Sequence, residues 1–192
     1  MRLVELNPQK PDTAIIEEAA SILEEGGLII FPTETVYGLA VLVDNQPAVE
    51  KLYQLKNRSF DKPLTLHIHD RAAVEEIIDT IPPCAQELMG RYWPGPLTIV
   101  MLAGDGGKVG FRMPRNVIAR EIIGATAGLI GATSANVSGA VPPLTVSDIP
   151  QRLLDDVDLV IDGGRTEYDG ASTIVDVSNG TPVIVRQGPI TI

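Results

Sequence analysis

The most informative segment of the chain is Phe31-Pro32-Thr33-Glu34-Thr35-Val36-Tyr37-Gly38-Leu39-Ala40. An apolar run at residues 28–31 leads into it and predicts a buried strand. A loop without a chemical task seldom places two threonines, a glutamate and a tyrosine at the end of a core strand. Ligands of open α/β sheets bind at strand ends of this kind. We therefore interpret the segment as one wall of a cleft.

Helical and strand patterns alternate along the first part of the chain, and strands cluster near its end. Strands are predicted at residues 3–6, 28–31, 39–43, 64–70, 97–102, 109–114, 129–132, 159–162, 172–177 and 181–186. Helices are predicted at residues 13–25, 45–56, 71–79, 83–91, 116–126 and 147–154, with Asp12 and Ser147 as caps. The pattern predicts a single α/β domain over residues 1–192, built on a mixed, twisted sheet.

The composition restricts the class of ligand. The formal net charge of −10 argues against a broad nucleic-acid surface, because such a surface needs a basic footprint. A small anionic ligand is compatible, since charges are screened beyond roughly 8 Å at physiological salt and a local group of cations decides phosphate binding. Cys84 is the only cysteine, so neither an internal disulfide nor a cysteine-built metal site is expected.

The sequence carries no membrane signal. The N-terminus lacks a signal-peptide pattern, and no apolar run approaches the length of about 18 residues that a membrane span needs. We expect a soluble cytoplasmic protein without membrane contact.

Cations and small polar side chains collect in three further places. Lys56, Arg58 and Lys62 fall within seven residues and indicate either a solvated charge run or a phosphate-binding loop. Residues 133–139 combine hydroxyls with an asparagine, which suits either a ligand-binding strand end or an ordinary turn. Arg112 stands among apolar neighbours, and burying an arginine without a partner is costly. That position therefore indicates a functional role.

Both histidines and two large aromatic residues have simple structural interpretations. Alternation along the predicted strand 64–70 puts His67 and His69 together on its polar face. Their spacing would suit a metal pair, but no nearby cluster completes a ligand set, so we favour a cleft-edge role without metal. Tyr92 and Trp93 are interpreted as a hydrophobic plug under the sheet.

The common nucleotide-binding and hydrolytic motifs are missing. The chain has no P-loop, no dinucleotide-binding G-x-G-x-x-G, no serine-hydrolase elbow and no H-E-x-x-H metal motif. If ATP binds here, arginine, lysine and small-residue loops must hold its phosphates.

Seven motifs nevertheless occur in a defined order: Pro32-Thr33-Glu34-Thr35-Val36-Tyr37-Gly38-Leu39, Lys56-Asn57-Arg58, Pro63-Leu64 with His67, Trp93-Pro94-Gly95-Pro96-Leu97-Thr98, Arg112-Met113-Pro114, Ser134-Ala135-Asn136 and Gly170-Ala171-Ser172-Thr173. Together they closely resemble the YrdC family, the L-threonylcarbamoyladenylate synthases. The resemblance implies an open, twisted, mixed α/β sheet flanked by helices, with a large, positively charged concave cleft. Because the long form carries an extra C-terminal domain, a chain of this length is expected to be the short, single-domain form.

The resemblance also implies a reaction and its partners. ATP, L-threonine and bicarbonate would give threonylcarbamoyl-AMP, pyrophosphate and water. A separate threonylcarbamoyl transferase complex would then modify the adenosine next to the anticodon, so tRNA would be met only indirectly. Magnesium would be carried by the phosphates of ATP and by water, without a metal site built by the protein.

The family pattern implies roles for particular residues. Its Lys-x-Arg…Ser-x-Asn signature, expected to be catalytic, corresponds to Lys56, Arg58, Ser134 and Asn136. The residues expected to bind ATP are Arg58, Lys62, Ser134 and Arg186, with Lys56 also near the phosphates. The residues expected around L-threonine are Thr35, His67, Arg112, Ala132 and Ser172. The planar fork of Arg112 suits a carboxylate, whereas Lys62 stands where many family members have asparagine.

Two other functions fit part of the sequence. A non-catalytic RNA-binding or ribosome-maturation protein is the first, although the negative charge and the scarcity of aromatic residues weigh against it. A carbamoyl-adenylate-forming domain is the second, but the zinc-finger and acylphosphatase segments that accompany such domains are missing from the sequence.

Overall fold

A ten-stranded mixed sheet organises the protein. The computed structural model describes residues 1–192. In chain order the strands are β1 Arg2–Glu5, β2 Ile29–Pro32, β3 Tyr37–Leu42, β4 Thr65–His67, β5 Leu97–Leu102, β6 Lys108–Arg112, β7 Ile130–Ser134, β8 Leu159–Asp162, β9 Thr173–Asp176 and β10 Val183–Arg186. Side by side they run β1-β8-β2-β3-β7-β4-β6-β5-β9-β10, with parallel and antiparallel pairs. The predicted open, mixed α/β sheet is confirmed.

Six helices pack on this sheet. They are α1 Thr13–Glu24, α2 Gln46–Lys56, α3 Ala72–Glu75, α4 Pro83–Tyr92, α5 Val117–Ala125 and α6 Gln151–Asp155. None of these helices combines the length and the apolar character that a membrane span requires. The helix predicted at residues 147–154 is wrong in its start and its cap. Thr145 instead caps a short 3-10 turn. A continuous helix cannot run through Pro150, because proline lacks the backbone N–H that such a helix needs, and α6 begins only after it.

Helices cover both faces of one half of the sheet. On one face α1 and α5 pack against β2, β3 and β8, and on the other face α2 and α6 pack against the same strands. Strands buried on both faces consist of continuous apolar residues rather than alternating ones. This explains the run Leu28-Ile29-Ile30-Phe31, whose side chains are all buried.

Only one face of the other half is covered. There α3 and α4 pack against every second residue of β5, β6 and β9, and the covered set is Leu97, Ile99, Met101, Phe111 and Val175. The intervening residues face the opposite side, because side chains alternate along a strand. Since no helix packs on that side, the sheet is left with a concave surface.

The aromatic pair 92–93 is divided between core and surface. Trp93 is 4% exposed, and its indole N–H donates to the carbonyl of Leu97 at 2.8 Å. The predicted plug is therefore confirmed for Trp93. Tyr92 is half-buried and packs against the same apolar cluster, so the prediction holds for it in part, and its hydroxyl donates to the carbonyl of Thr191.

The opening segment forms the tight turn of a hairpin. β2 and β3 are antiparallel with Pro32 opposite Tyr37, so residues 33–36 form the turn and β3 begins earlier than predicted. Thr33 stabilises the turn, since its hydroxyl donates to the carbonyl of Val36 at 2.6 Å and accepts two backbone N–H groups. All four turn residues are buried. The hairpin turn is thus a rigid part of the cleft wall.

Candidate active site

A cavity of about 670 Å³ lies on the uncovered face of the sheet. Eight residues predicted from the sequence line it together: Arg58, Lys62, His67, Arg112, Ala132, Ser134, Ser172 and Arg186. Three predicted residues do not line the cavity: Thr35, Lys56 and Asn136. The fold therefore brings most of the predicted set to one place and leaves the other three behind its walls.

The cavity is a basic region in an acidic protein. Five cations line it, and they are Arg58, Lys62, Lys108, Arg112 and Arg186. Asp61 and Asp176 are the carboxylates of the lining, and Asp176 is already paired with Lys108 at 2.7 Å. A local excess of positive charge attracts anions even where the net charge of the protein is negative. No group of three or more His, Cys, Asp or Glu side chains is arranged to hold a metal ion.

Arg112 is held in the cavity wall by one of its nitrogens. The residue is 4% exposed, and its Nη2 lies 2.8 Å from Oε1 of the buried Glu34. Nη2 also donates to the Thr35 hydroxyl at 2.6 Å and lies 3.5 Å from that of Thr33. Every hydrogen bond of the guanidinium to the protein uses Nη2, while the buried Nε has no acceptor. Such an unsatisfied donor is costly unless a ligand accepts from it.

His67 lies beside Arg112 and is neutral. The two residues are register partners on β4 and β6. The Nδ1 atom of His67 is 3.1 Å from the carbonyl of Thr65, so Nδ1–H donates and Nε2 is left as an acceptor. Burial, with the nearby charge of Arg112, lowers the pKa of His67 to about 4. The site thus offers a hydrogen-bond acceptor next to the guanidinium donors.

The depressed pKa of His67 predicts a loss of stability in acid. Between pH 6.5 and about 4 the unfolded chain binds a proton at this histidine and the native protein does not, so stability falls as the pH falls. From pH 7.5 to pH 5 the wild type should lose about 2 kcal/mol more unfolding free energy than His67→Gln. Urea unfolding at both pH values measures the difference, and identical losses in the two proteins would contradict a buried neutral imidazole.

His69 does not join His67, contrary to the prediction. The strand ends at His67, and the exposed His69 has its Nδ1 atom 3.0 Å from the carbonyl of Arg120 on α5. The alternation argument fails because it assumed a strand that continues to residue 70.

Ser172 connects Arg186 to a neighbouring hydroxyl in the cavity wall. Arg186 donates through Nε to the carbonyl of Ser172 at 2.9 Å and through Nη2 to its hydroxyl at 3.1 Å. The same hydroxyl is 2.9 Å from that of Thr98, which is the register partner of Arg112. This chain of contacts holds the Arg186 guanidinium over the cavity.

Sequence reasoning missed two lining residues that strand alternation reveals. Lys108 and Arg112 lie four residues apart on β6 and therefore on the same face. Thr98 occurs in a quoted motif but received no role. Lys108 and Thr98 both line the cavity. Lys108 shares the strand face of Arg112, and Thr98 lies opposite Arg112 on the neighbouring strand, so alternation along the two strands would have identified both.

Lys56 and Asn136 lie directly behind the wall that Ser134 presents. Lys56 is 1% exposed, and its ammonium donates to the carbonyls of Ser134 and Asn136 and lies 3.5 Å from Oδ1 of Asn136. That oxygen also accepts from the Ser134 hydroxyl at 2.5 Å. Burial, with the charge of Arg58, lowers the pKa of Lys56 to about 7. Lys56 and Asn136, two residues of the predicted signature, thus stabilise the loop that carries Ser134, a third residue of it.

Arg58 is positioned by its own loop. Asn57 ends α2 in the left-handed conformation, with φ 51°, and so turns the chain towards the cavity. The guanidinium of Arg58 then donates to the carbonyls of Lys62 and Pro63, each at 3.0 Å. Its charge remains available because carbonyl oxygens do not neutralise it.

Comparison with known proteins supports the resemblance stated above. The Sua5/YciO/YrdC family, described as "Telomere recombination", matches residues 21–188. The threonylcarbamoyl-AMP synthase of Pyrococcus abyssi is 36% identical over 182 residues, which are 90% of this chain and 54% of that protein. The Bacillus subtilis protein of the same name is 34% identical, over 97% of this chain and 56% of that protein. The chain therefore spans about half the length of these two relatives.

The three-dimensional structure agrees with the sequence comparison. The crystal structure of P. abyssi Sua5 complexed with L-threonine matches with a TM-score of 0.88 at 32% identity, over 98% of this chain and 58% of that one. The family match extends from α1 to beyond β10 and includes every strand that lines the cavity. From its sequence and its fold, the chain belongs to the Sua5/YciO/YrdC family.

Proposed function

We propose that the protein is an L-threonylcarbamoyladenylate synthase, which makes threonylcarbamoyl-AMP from ATP, L-threonine and bicarbonate. One observation carries the proposal: the buried guanidinium of Arg112, with donors to spare, shares a cavity with the cations Arg58, Lys62 and Arg186. The names of the relatives at 34–36% identity state this activity, and L-threonine is the ligand of the P. abyssi protein.

We assign the amino acid to the region of Arg112 and His67. The threonine carboxylate would accept from the free nitrogens of Arg112, which are charged donors and therefore give strong hydrogen bonds. Neutral His67 would accept from the amino or hydroxyl group through Nε2. Ala132 and Ser172 lie along the same cavity and would complete the pocket. Thr35 would act through Arg112, whose Nη2 it contacts.

We assign the triphosphate to the other cations that line the cavity. Arg58, Lys62, Lys108 and Arg186 would neutralise phosphate oxygens, and Ser134 would present a small hydroxyl beside them. Lys56 and Asn136 would contribute by fixing the Ser134 loop. Asp61 and paired Asp176 do not make a metal cage, so magnesium would enter with the phosphates and keep water ligands.

The chemistry requires positioning and charge neutralisation. The amine of threonine and bicarbonate form a carbamate with loss of water. A carbamate oxygen then attacks the α-phosphorus of ATP, and the bond to pyrophosphate breaks. Because all these reactants carry negative charge, bringing them together within one basic cavity removes much of the barrier. The product would be passed in the cytoplasm to a transferase complex, which alone would contact tRNA.

A direct assay tests the proposal. Purified protein is incubated with ATP, L-threonine and labelled bicarbonate, and we expect threonine-dependent pyrophosphate together with labelled threonylcarbamoyl-AMP. A folded protein that forms neither product would overturn the proposal. Salt-sensitive RNA binding without turnover would instead indicate the RNA-binding alternative, and dependence on carbamoyl phosphate would indicate a carbamoyl-adenylate-forming domain.

We expect L-serine to be a better false substrate than L-valine. Serine lacks one methyl group, which discriminates by only ~1–3 kcal/mol, whereas valine leaves a buried polar partner such as His67 without its hydrogen bond. Competition assays that compare kcat/KM for the two amino acids measure the order. Equal rejection of both would contradict a pocket that recognises the threonine hydroxyl.

A further inference from the structure

Glu34 is the one charged residue of the opening segment to which no role has been assigned. It is 3% exposed and lies behind the cavity. One carboxylate oxygen lies 2.8 Å from Arg112 Nη2, and the other accepts from the backbone N–H groups of Arg115 at 3.0 Å and Asn116 at 3.2 Å. Burial opposes the charged form, but Arg112 and backbone N–H groups, that of Asn116 among them, keep the pKa of Glu34 below its ordinary value.

The stability of the ion pair does not by itself explain a carboxylate at this position. Removing two charges from water offsets most of their attraction, so a buried ion pair is often no more stable than apolar residues of similar volume. The side chain of Asn116 caps α5 by accepting from Ala119 N–H at 3.1 Å, and one oxygen of Glu34 accepts from the N–H groups of Arg115 and Asn116 beside it. A negative charge near a basic cavity also opposes the binding of anions. Contacts at α5 account for one carboxylate oxygen, and the contact of the other with Arg112 points to a task at that residue.

The geometry of Arg112 identifies this task. Glu34 and the hydroxyl of Thr35 use the hydrogens of Nη2 and so fix the plane of the guanidinium. Nε and Nη1 are left without protein acceptors. A ligand carboxylate then meets donors that are already oriented, and binding does not have to order a long side chain.

We propose that Glu34 is a positioning residue that holds Arg112 in the orientation that binds the carboxylate of the amino-acid substrate. The inference rests on the proposed function, since it takes an α-amino acid as the ligand. Glu34 contacts neither ATP nor the reacting atoms in this scheme and acts only through Arg112.

The test uses Glu34→Gln and measures binding without turnover. A glutamine amide offers one acceptor and one donor group, so its N–H₂ must face either Arg112 or the N–H groups at α5, and one set of contacts is lost. Calorimetry with L-threonine should show about tenfold weaker binding or more, while ATP affinity should change less than about twofold. L-threoninamide, which lacks the carboxylate, should bind wild type and variant alike.

Two further variants separate positioning from folding. Asp162→Asn is the matched control, because Asp162 also accepts from a side chain and a backbone N–H, at 3.0 and 2.8 Å, but lies outside the cavity lining. It should keep wild-type threonine affinity even if it unfolds more easily. Arg112→Gln combined with Glu34→Gln should bind threonine no worse than Arg112→Gln alone, because a residue that acts only through Arg112 has no further effect in its absence.

Several outcomes would overturn the inference. If Glu34→Gln binds threonine with wild-type affinity, a role of Glu34 in carboxylate binding is excluded. The same holds if the variant loses affinity for threonine and for threoninamide equally. If the glutamine variant folds poorly, Glu34→Asp carries the same test, since its shorter carboxylate cannot keep both sets of contacts. A wild type that binds no threonine at all would overturn the proposed function, and this inference with it.

Discussion

Arg112→Gln is expected to reduce kcat/KM for L-threonine by about a thousandfold, because at least two charge-assisted hydrogen bonds to the substrate, worth ~1.5–3 kcal/mol each, would be lost. KM for ATP should change far less, since the phosphates are assigned to other cations. The substitution also leaves the Glu34 carboxylate buried without its partner, which should cost about 3–5 kcal/mol of unfolding free energy. Steady-state kinetics on the folded protein and urea unfolding measure the two effects separately.

Arg115→Gln is the matched control for this prediction. Arg115 is three residues away, and its exposed side chain pairs with Glu167 outside the cavity. Its contact to Glu34 uses the backbone N–H, which the substitution preserves. We expect both activity and stability close to wild type, because exposed ion pairs contribute only about 0–1 kcal/mol. A wild-type KM for threonine in Arg112→Gln would contradict the assignment of the amino-acid site.

Lys56→Met is expected to lose about 3–5 kcal/mol of unfolding free energy. The ammonium donates to two carbonyls and lies near a side-chain oxygen in a buried place, and methionine of similar length leaves these acceptors unsatisfied at ~1–3 kcal/mol each. Because the acceptors belong to the Ser134 loop, ATP binding should weaken as a secondary effect. Urea unfolding without ligand, followed by ATP titration, measures both.

Lys51→Met provides the comparison for Lys56. Lys51 lies on the same helix but is exposed, so its replacement should change stability by less than about 0.5 kcal/mol. If Lys56→Met keeps wild-type stability and loses only ATP binding, Lys56 contacts the phosphates directly, as its family signature implies. The two outcomes therefore distinguish support of the loop from direct binding.

Local sequence patterns predicted most of the elements. The apolar run before Phe31 became β2, and the apolar residues at helical spacing became α1, α2 and α5. These predictions succeed because periodicity and capping depend on residues a few positions apart. They overestimate length where an element is short: α3 spans only Ala72–Glu75 of the predicted 71–79, and the strand predicted to residue 70 ends at His67.

Residue type and motif identified the candidate site residues, but they did not show which side chains face the cavity. Arg58, Ser134 and Arg186 are distant in sequence but line one cavity, as the resemblance implied. Lys56 belongs to the same predicted motif as Arg58, yet its side chain is buried and stabilises the Ser134 loop. Lys56 and Arg58 are only two positions apart, yet Lys56 is buried and Arg58 lines the cavity. The charge pattern of the sequence does not distinguish these two environments.

The residue order alone is enough to specify the family, the class of fold and the presence of a basic, hydroxyl-rich site. These properties rest on local periodicity and on motifs that recur in a set order. The partner of each polar group is decided only when ten strands take a spatial order unlike their order in the chain. Glu34 meets Arg112, and Lys56 meets Asn136, across about 80 positions, because buried charges must find partners wherever the packed sheet places them.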